Sequence, residues 1–126
     1  MKHSSTTIEE DRALTAEEQT LVRWLLEHGE RHAPAFISQL ADARVIGRCP
    51  CGCASIDFSV AGVRPPTAGG IDILSDYCWQ DTSGHRFGAF VFSRNGRLAG
   101  LDLWSVDGVA TATYLPHPDQ LTPRDS

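Results

Sequence analysis

The dipeptide Asn95-Gly96 constrains the fold of this chain more than any other short stretch of its sequence. It separates two stretches with strand-like patterns, Arg86–Ser93 and Arg97–Ser105. A two-residue type I′ turn needs a positive φ at both central positions, and asparagine and glycine adopt that conformation at low cost. The sequence therefore predicts a hairpin here, with two adjacent antiparallel strands.

Strand-like patterns extend over most of the chain after residue 45. Ile56, Phe58 and Val60 alternate with polar residues, which is typical of a half-buried strand. A further strand is expected over 71–79, and a last short one near 110–115, where prolines end the pattern. Linked by short turns, these segments predict an antiparallel meander of about five to six strands.

Two helices are predicted before the strands. Thr15 offers an N-cap that Glu18 completes as a capping box, so the first helix is expected over 15–28. Pro34 can occupy the first turn of a second helix, which should end near Ala43. The apolar faces expected to cover the sheet are formed by Leu21, Val22, Leu25 and Leu26 in the first helix and by Phe36, Ile37, Leu40 and Ala41 in the second.

The placement of the acidic residues supports the same order of elements. All glutamates precede residue 31, whereas most aspartates follow residue 44; glutamate suits helix interiors and aspartate suits turns. We therefore expect an α+β fold, with two N-terminal helices packed on one face of the meander sheet. The expected organisation is a flexible leader over 1–13, a single domain over 14–118 and a flexible tail over 119–126.

Composition and charge exclude several classes of protein. A chain of 126 residues with 41% hydrophobic and 21% charged residues is typical of one globular domain. Its net charge of −5 disfavours nonspecific binding to nucleic acid or to an anionic membrane. No signal peptide or membrane span is predicted. We expect a cytoplasmic protein with reduced thiols or metal-bound cysteines.

Three of the four cysteines lie within the run Cys49-Pro50-Cys51-Gly52-Cys53. The buried positions of the strand before this run are odd-numbered and those of the strand after it are even-numbered. Because an unbroken strand cannot switch faces, the chain must turn between these strands. We expect a compact turn, with Gly52 in a conformation that other residues resist.

The cysteines have three interpretations. Cys49, Cys51, Cys53 and Cys78 could together hold a tetrahedral zinc ion, although a second C-x-x-C-like pair is missing. Alternatively, a thiol next to Arg48 could carry redox chemistry. The third interpretation, which we favour from the sequence, is that the cysteines are small buried hydrophobic residues around a tight turn. Under this third interpretation the protein has no cofactor.

No catalytic set is predicted elsewhere. His28 and His32 have a ligand spacing, but Gly29 interrupts the helix between them, and they fit a solvated helix C-terminus better. His85 lies near Asp81 and Ser83 in a predicted turn, which is a Ser-His-Asp combination by residue type only.

The segment from Val45 to Cys53, with its Gly-Arg-Cys-x-Cys-Gly-Cys motif, resembles a group of small bacterial proteins of unknown function. These proteins also begin with a leucine-rich helix and end with a Leu-Pro element, here Leu115-Pro116. The resemblance covers about residues 15–121. It implies a bacterial, cytosolic, single-domain protein, and it carries over no activity, ligand or catalytic residue.

The function favoured by the sequence is that of a non-enzymatic cytoplasmic interaction or regulatory protein. Its acidic charge, its small size and the apolar residues expected on both sheet faces fit a protein partner or a homodimer, without nucleic acid or membrane. The alternatives are a small zinc-binding protein and a thiol-dependent enzyme or redox protein.

Overall fold

A computed structural model of the chain describes residues 8–66 and 69–123. Within these residues, seven antiparallel strands form one sheet with the order β1-β2-β3-β6-β5-β4-β7. The strands are β1 (Ile8–Ala13), β2 (Ala43–Arg48), β3 (Ile56–Val60), β4 (Asp72–Gln80), β5 (Arg86–Arg94), β6 (Arg97–Ser105) and β7 (Thr122–Pro123).

Helix α1 (Ala16–Glu27) begins at the predicted capping box. The Thr15 hydroxyl accepts a hydrogen bond from the Glu18 N–H at 3.1 Å, and the Glu18 carboxylate accepts one from the Thr15 N–H at 2.9 Å. Arg12 also bonds to the Glu18 carboxylate at 2.9 Å. This reciprocal cap satisfies N–H groups that have no partner within the helix.

The second helical segment is shorter than the sequence predicts. A 3-10 turn (Ala33–Phe36) leads into the single α-helical turn α2 (Ile37–Leu40). Pro34 lies in the 3-10 turn, where its missing N–H costs no hydrogen bond. Leu40 is buried, but Phe36 is only partly buried.

The core lies between the helices and one face of the sheet. Helix α1 contacts β4 and β5, and α2 contacts β6. Apolar side chains from the helices and from the strands meet there, which removes their surfaces from water and stabilises the fold. The largest fully buried side chains include Phe58, Leu21, Leu25, Leu26, Leu74, Leu98 and Leu101.

The predicted Asn95-Gly96 hairpin is confirmed. Arg94 pairs directly with Arg97, so only two residues lie between β5 and β6. The φ angles are 53° at Asn95 and 79° at Gly96, as a type I′ turn requires.

The predicted fold class is wrong. The structure is mostly sheet, with seven strands rather than five to six, and its helices are not N-terminal because β1 precedes α1. The segment over 110–115 does not form a strand. The strand that follows β6 in the chain is instead β7, which lies at one end of the sheet beside β4. The strand order also departs from a meander, because β3 pairs with β6 rather than with β4.

Part of the expected leader and part of the expected tail form strands. Ile8–Ala13 is β1, and Thr122–Pro123 is β7. The rest of both segments, 1–7 and 124–126, lies outside the described residues. Strand β1 pairs with β2 through its backbone, and two ion pairs also link these strands: Glu10 contacts Arg48, and Arg44 contacts Asp11 at 2.9 Å.

Candidate metal centre

The cysteine run forms the loop between β2 and β3, as the change in buried positions predicts. Val45 is buried in β2 and pairs with Phe58, which is buried in β3. Within the loop, the Gly52 N–H donates to the Cys49 carbonyl at 3.4 Å. Gly52 has a φ of 95°, which confirms the expected glycine conformation.

The loop brings three sulfur atoms together. The Sγ atoms of Cys49, Cys51 and Cys53 all lie within 4.8 Å of one another. Two thiolates on one tetrahedral zinc ion, with Zn–S bonds of about 2.3 Å, are separated by about 3.8 Å. The three sulfur atoms therefore lie within reach of a single ion, although Cys49 Sγ and Cys51 Sγ, 2.8 Å apart, would have to separate by about 1 Å to share it.

Ser55 holds the end of this loop against the sheet. Its buried hydroxyl accepts a hydrogen bond from the Leu103 N–H at 2.8 Å and donates to the Leu103 carbonyl at 3.1 Å. The Cys53 thiol donates to the same hydroxyl at 3.3 Å. The Ala54 N–H donates to the Ala112 carbonyl at 2.8 Å. The sequence pattern did not identify Ser55, because its partners lie on distant segments.

Exposure separates the clustered cysteines from the fourth. Cys51 is exposed, Cys49 and Cys53 are half-buried, and Cys78 is buried. The interpretation of cysteines as buried packing residues therefore holds for Cys78 only. Thiols grouped at a surface loop are accessible to an ion or a reagent from solution.

Cys78 lies far from the other three. It sits in β4, where it pairs with Gly88 of β5 and with Thr122 of β7. Strands β5 and β6 separate β4 from β3, and three strand spacings amount to about 14 Å. Cys78 therefore does not complete the cluster as a fourth ligand.

The electrostatics of the loop do not favour a reactive thiolate at Cys49. Burial, followed by the hydrogen bond with Cys51, raises the pKa of the Cys49 thiol to about 12. Arg48, the neighbouring cation, bonds to the Glu10 carboxylate. Activated cysteines are usually stabilised by a nearby cation, so a bound metal ion would supply the charge that this thiol lacks.

The two histidines with ligand spacing do not converge on one site. The His28 ring stacks on Trp24 at 4.1 Å and hydrogen-bonds to the Trp24 carbonyl at 2.8 Å. His32 instead bonds to Asp72 at 2.9 Å, at the start of β4. The two histidine rings therefore make separate contacts near the C-terminal end of α1.

The Ser-His-Asp combination is not assembled as a triad. The Asp81 carboxylate accepts hydrogen bonds from the backbone N–H groups of Ser83 and His85, both at 2.9 Å. The His85 ring contacts Asp107 at 3.2 Å, and Asp107 also accepts from the Ser105 hydroxyl at 3.0 Å. In this arrangement the carboxylate, not the imidazole, lies between the other two groups, so no serine is activated.

A cleft of about 750 Å³ lies at the end of α1 beside β4 and does not include the cysteine loop. The Tyr77 hydroxyl donates to the His28 carbonyl at 2.8 Å and fastens this helix end to the sheet. The side chains lining the cleft include His28, Glu30, Arg31, Ser75, Asp76 and Tyr77.

Among the described residues, no helix is both long and apolar enough to span a membrane. Comparison with known proteins identified no relative: no family model matches the chain, and neither the curated proteins nor the solved structures gave a match.

Proposed function

We propose that this protein binds a metal ion that prefers thiolate ligands, above all zinc, through Cys49, Cys51 and Cys53. The observation that carries the proposal is the convergence of three thiol sulfurs within 4.8 Å on one loop. Thiolate ligands select zinc, copper(I) and iron–sulfur clusters over hard cations such as magnesium and calcium.

The surroundings of the sulfur atoms support a metal site. The Cys53 N–H donates to the Cys51 sulfur at 3.4 Å, a hydrogen bond that a metal-bound thiolate also accepts. Groups that hydrogen-bond to ligands in this way fix their direction and tune the metal. Three protein ligands leave the fourth zinc position for water or for another molecule, as in sites where the metal acts or exchanges.

The site is not the centre of the fold. Cys51 is exposed, and the hydrophobic core lies under α1 and does not depend on the sulfur atoms. In sites that hold a small domain together, metal binding supplies the folding energy. Here the sheet has its own core, so we assign the ion a role in binding and exchange rather than in folding.

Zinc titration of protein purified without a histidine tag tests this function. Reduced, metal-free protein should bind one equivalent of zinc in competition with a chromophoric chelator. Cys51→Ser should weaken binding by at least about tenfold, whereas Cys78→Ser, a matched control outside the cluster, should not change it. No binding by the wild type, or equal losses in both variants, would refute the proposal. A parallel copper(I) titration identifies the preferred ion.

The expected protein partner or homodimer stays a prediction, as does the cytoplasmic location. Phe90 and Phe92 of β5 are only half-buried, whereas the alternate residues Phe87, Ala89 and Val91 are buried in the core. Light scattering of the purified protein measures its oligomeric state directly.

A further inference from the structure

Two of the three clustered sulfur atoms are much closer to each other than a shared metal ion requires. The Sγ atoms of Cys49 and Cys51 are 2.8 Å apart. Two ligands of one tetrahedral zinc ion would lie about 3.8 Å apart, and a disulfide bond is roughly 2.05 Å long. The pair is therefore within about 1 Å of bonding distance.

The backbone of the loop suits a bond between these two residues. Cys49 and Cys51 flank Pro50 in a turn that the Gly52 N–H closes on the Cys49 carbonyl at 3.4 Å. Residues separated by one position are at most about 7 Å apart, and a turn shortens that distance toward the range that disulfides occupy. Cys51 is exposed, so an oxidant reaches it without unfolding.

The third cysteine lies within 4.8 Å of this pair but has a hydrogen-bond partner of its own. The Cys53 thiol donates to the Ser55 hydroxyl at 3.3 Å. That hydroxyl is buried and bonded to both backbone groups of Leu103. Moving Cys53 into a disulfide would break this network, whereas joining Cys49 to Cys51 leaves it intact.

We propose that Cys49 and Cys51 form a reversible disulfide that excludes the metal ion from the site. The oxidant class is a hydroperoxide. The Cys51 sulfur attacks a peroxide oxygen, the O–O bond breaks, and hydrogen peroxide leaves a sulfenic acid and one water. The Cys49 sulfur then displaces the sulfenic hydroxyl, which leaves as a second water. Two thiols are oxidised, one peroxide is reduced, and one S–S bond forms.

The exclusion of metal rests on the proposed function. The disulfide removes two of the three thiolate ligands, and one remaining thiol is insufficient for a zinc site. Conversely, zinc bound to Cys51 would draw electron density from the sulfur and so lower its nucleophilicity toward the peroxide. A low-molecular-weight thiol restores the pair by thiol–disulfide exchange. In a reducing compartment, disulfides are usually transient or sensory ones of this kind.

The test begins with metal-free, reduced protein treated with hydrogen peroxide. Intact mass should fall by two hydrogen masses per chain, and a reducing agent should reverse the change. Cys53→Ser should form the same bond at a rate within about twofold of wild type. Cys49→Ser should instead accumulate a sulfenic acid on Cys51, which a dimedone adduct reveals. Cys78→Ser is the matched control and should behave as wild type.

The second arm uses zinc-loaded protein. Its oxidation should be at least about tenfold slower than that of the metal-free form, and oxidised protein should take up no zinc until it is reduced. A disulfide that involves Cys53, or equal oxidation rates with and without zinc, would overturn the inference. If the wild type binds no zinc but still forms the Cys49–Cys51 bond, the metal function fails while the assigned pair stands. Circular dichroism of each variant confirms that it is folded.

Discussion

The loops Cys49–Ser55 and Asn95–Gly96 both join antiparallel neighbours of one sheet, and they are built in different ways. The β5–β6 turn has two residues, and positive φ angles of 53° and 79° define it. The β2–β3 loop has one positive φ, at Gly52, and side-chain hydrogen bonds through Ser55 hold it. A turn defined by its backbone angles sets the register of its strands, whereas a longer loop held by side-chain hydrogen bonds positions functional groups.

The largest difference between the two loops should be in how their substitutions change the stabilisation of the fold by zinc. Zinc at a hundred times its dissociation constant should stabilise the fold by about 2.7 kcal/mol, a rise in melting temperature of roughly 10 °C. Excess chelator should reverse the rise and leave the sheet folded in far-UV circular dichroism. At the same zinc concentration Cys51→Ser should keep at most about half of this rise, and Gly96→Ala should keep it in full. Unfolding of the chelated wild type would show that the sheet depends on the ion.

The next largest effect should come from the anchor of the cysteine loop. Ser55→Ala leaves the buried Leu103 N–H and carbonyl without their hydroxyl partner, at a cost of about 1–3 kcal/mol in the free energy of unfolding. It should also lower zinc affinity by about tenfold, because the loop that carries the three cysteines loses its anchor on Leu103 of β6. Ser38→Ala, which removes an exposed hydroxyl, is the control and should cost less than about 0.5 kcal/mol. Urea melts of both variants measure the difference.

A smaller loss of stability is expected for a substitution in the two-residue turn between β5 and β6. Gly96→Ala meets no neighbouring atom within 4 Å but must keep a φ of 79°. The left-handed conformation should cost about 1–2 kcal/mol in stability, with no change in zinc affinity. A loss of zinc affinity in this variant would show that the two loops are coupled through β6.

The smallest loss of stability is expected when a glycine of the cysteine loop is replaced by alanine. Gly52→Ala also meets no atom within 4 Å and has a φ of 95°. The longer loop can redistribute its dihedral angles, so the metal-free protein should lose less than about 1 kcal/mol. With zinc bound, the cost should rise because the ligands fix the loop. Equal costs for Gly52→Ala and Gly96→Ala in the metal-free protein would mean that the cysteine loop is as rigid as the hairpin.

Local signals in the sequence predicted the parts of the fold that depend on local contacts. The Thr15–Glu18 capping box begins α1, Asn95-Gly96 joins β5 to β6, and the turn at the cysteine run follows from the change in buried positions. Each involves residues only a few positions apart, so propensity and side-chain spacing suffice to predict it.

Non-local features could not be predicted in the same way. Strand β1 contains the sequence Glu9-Glu10-Asp11-Arg12 and lacks apolar alternation, because backbone pairing and ion pairs with Arg44 and Arg48, rather than burial, join it to β2. The pairing of β3 with β6 and the separation of Cys78 from the cluster depend on strand order. Strand order is a property of the whole sheet and has no signature in any one segment.

The charged strand β1 also affects how copies of this protein behave at high concentration. An open sheet ends in strands with unpaired backbone groups, which can recruit another chain and seed aggregation. Among the described residues, one end strand of this sheet is β1, with four consecutive charged residues, and the other is β7, which pairs with only two residues of β4 and ends at Pro123. Charged side chains disfavour an incoming strand at β1, and Pro123 offers it no hydrogen-bond donor, whereas most of β4 has no neighbour on that side among the described residues. Removing residues 1–13 would expose the backbone groups of β2 as a new edge, so the shortened chain should aggregate at a lower concentration than the full chain.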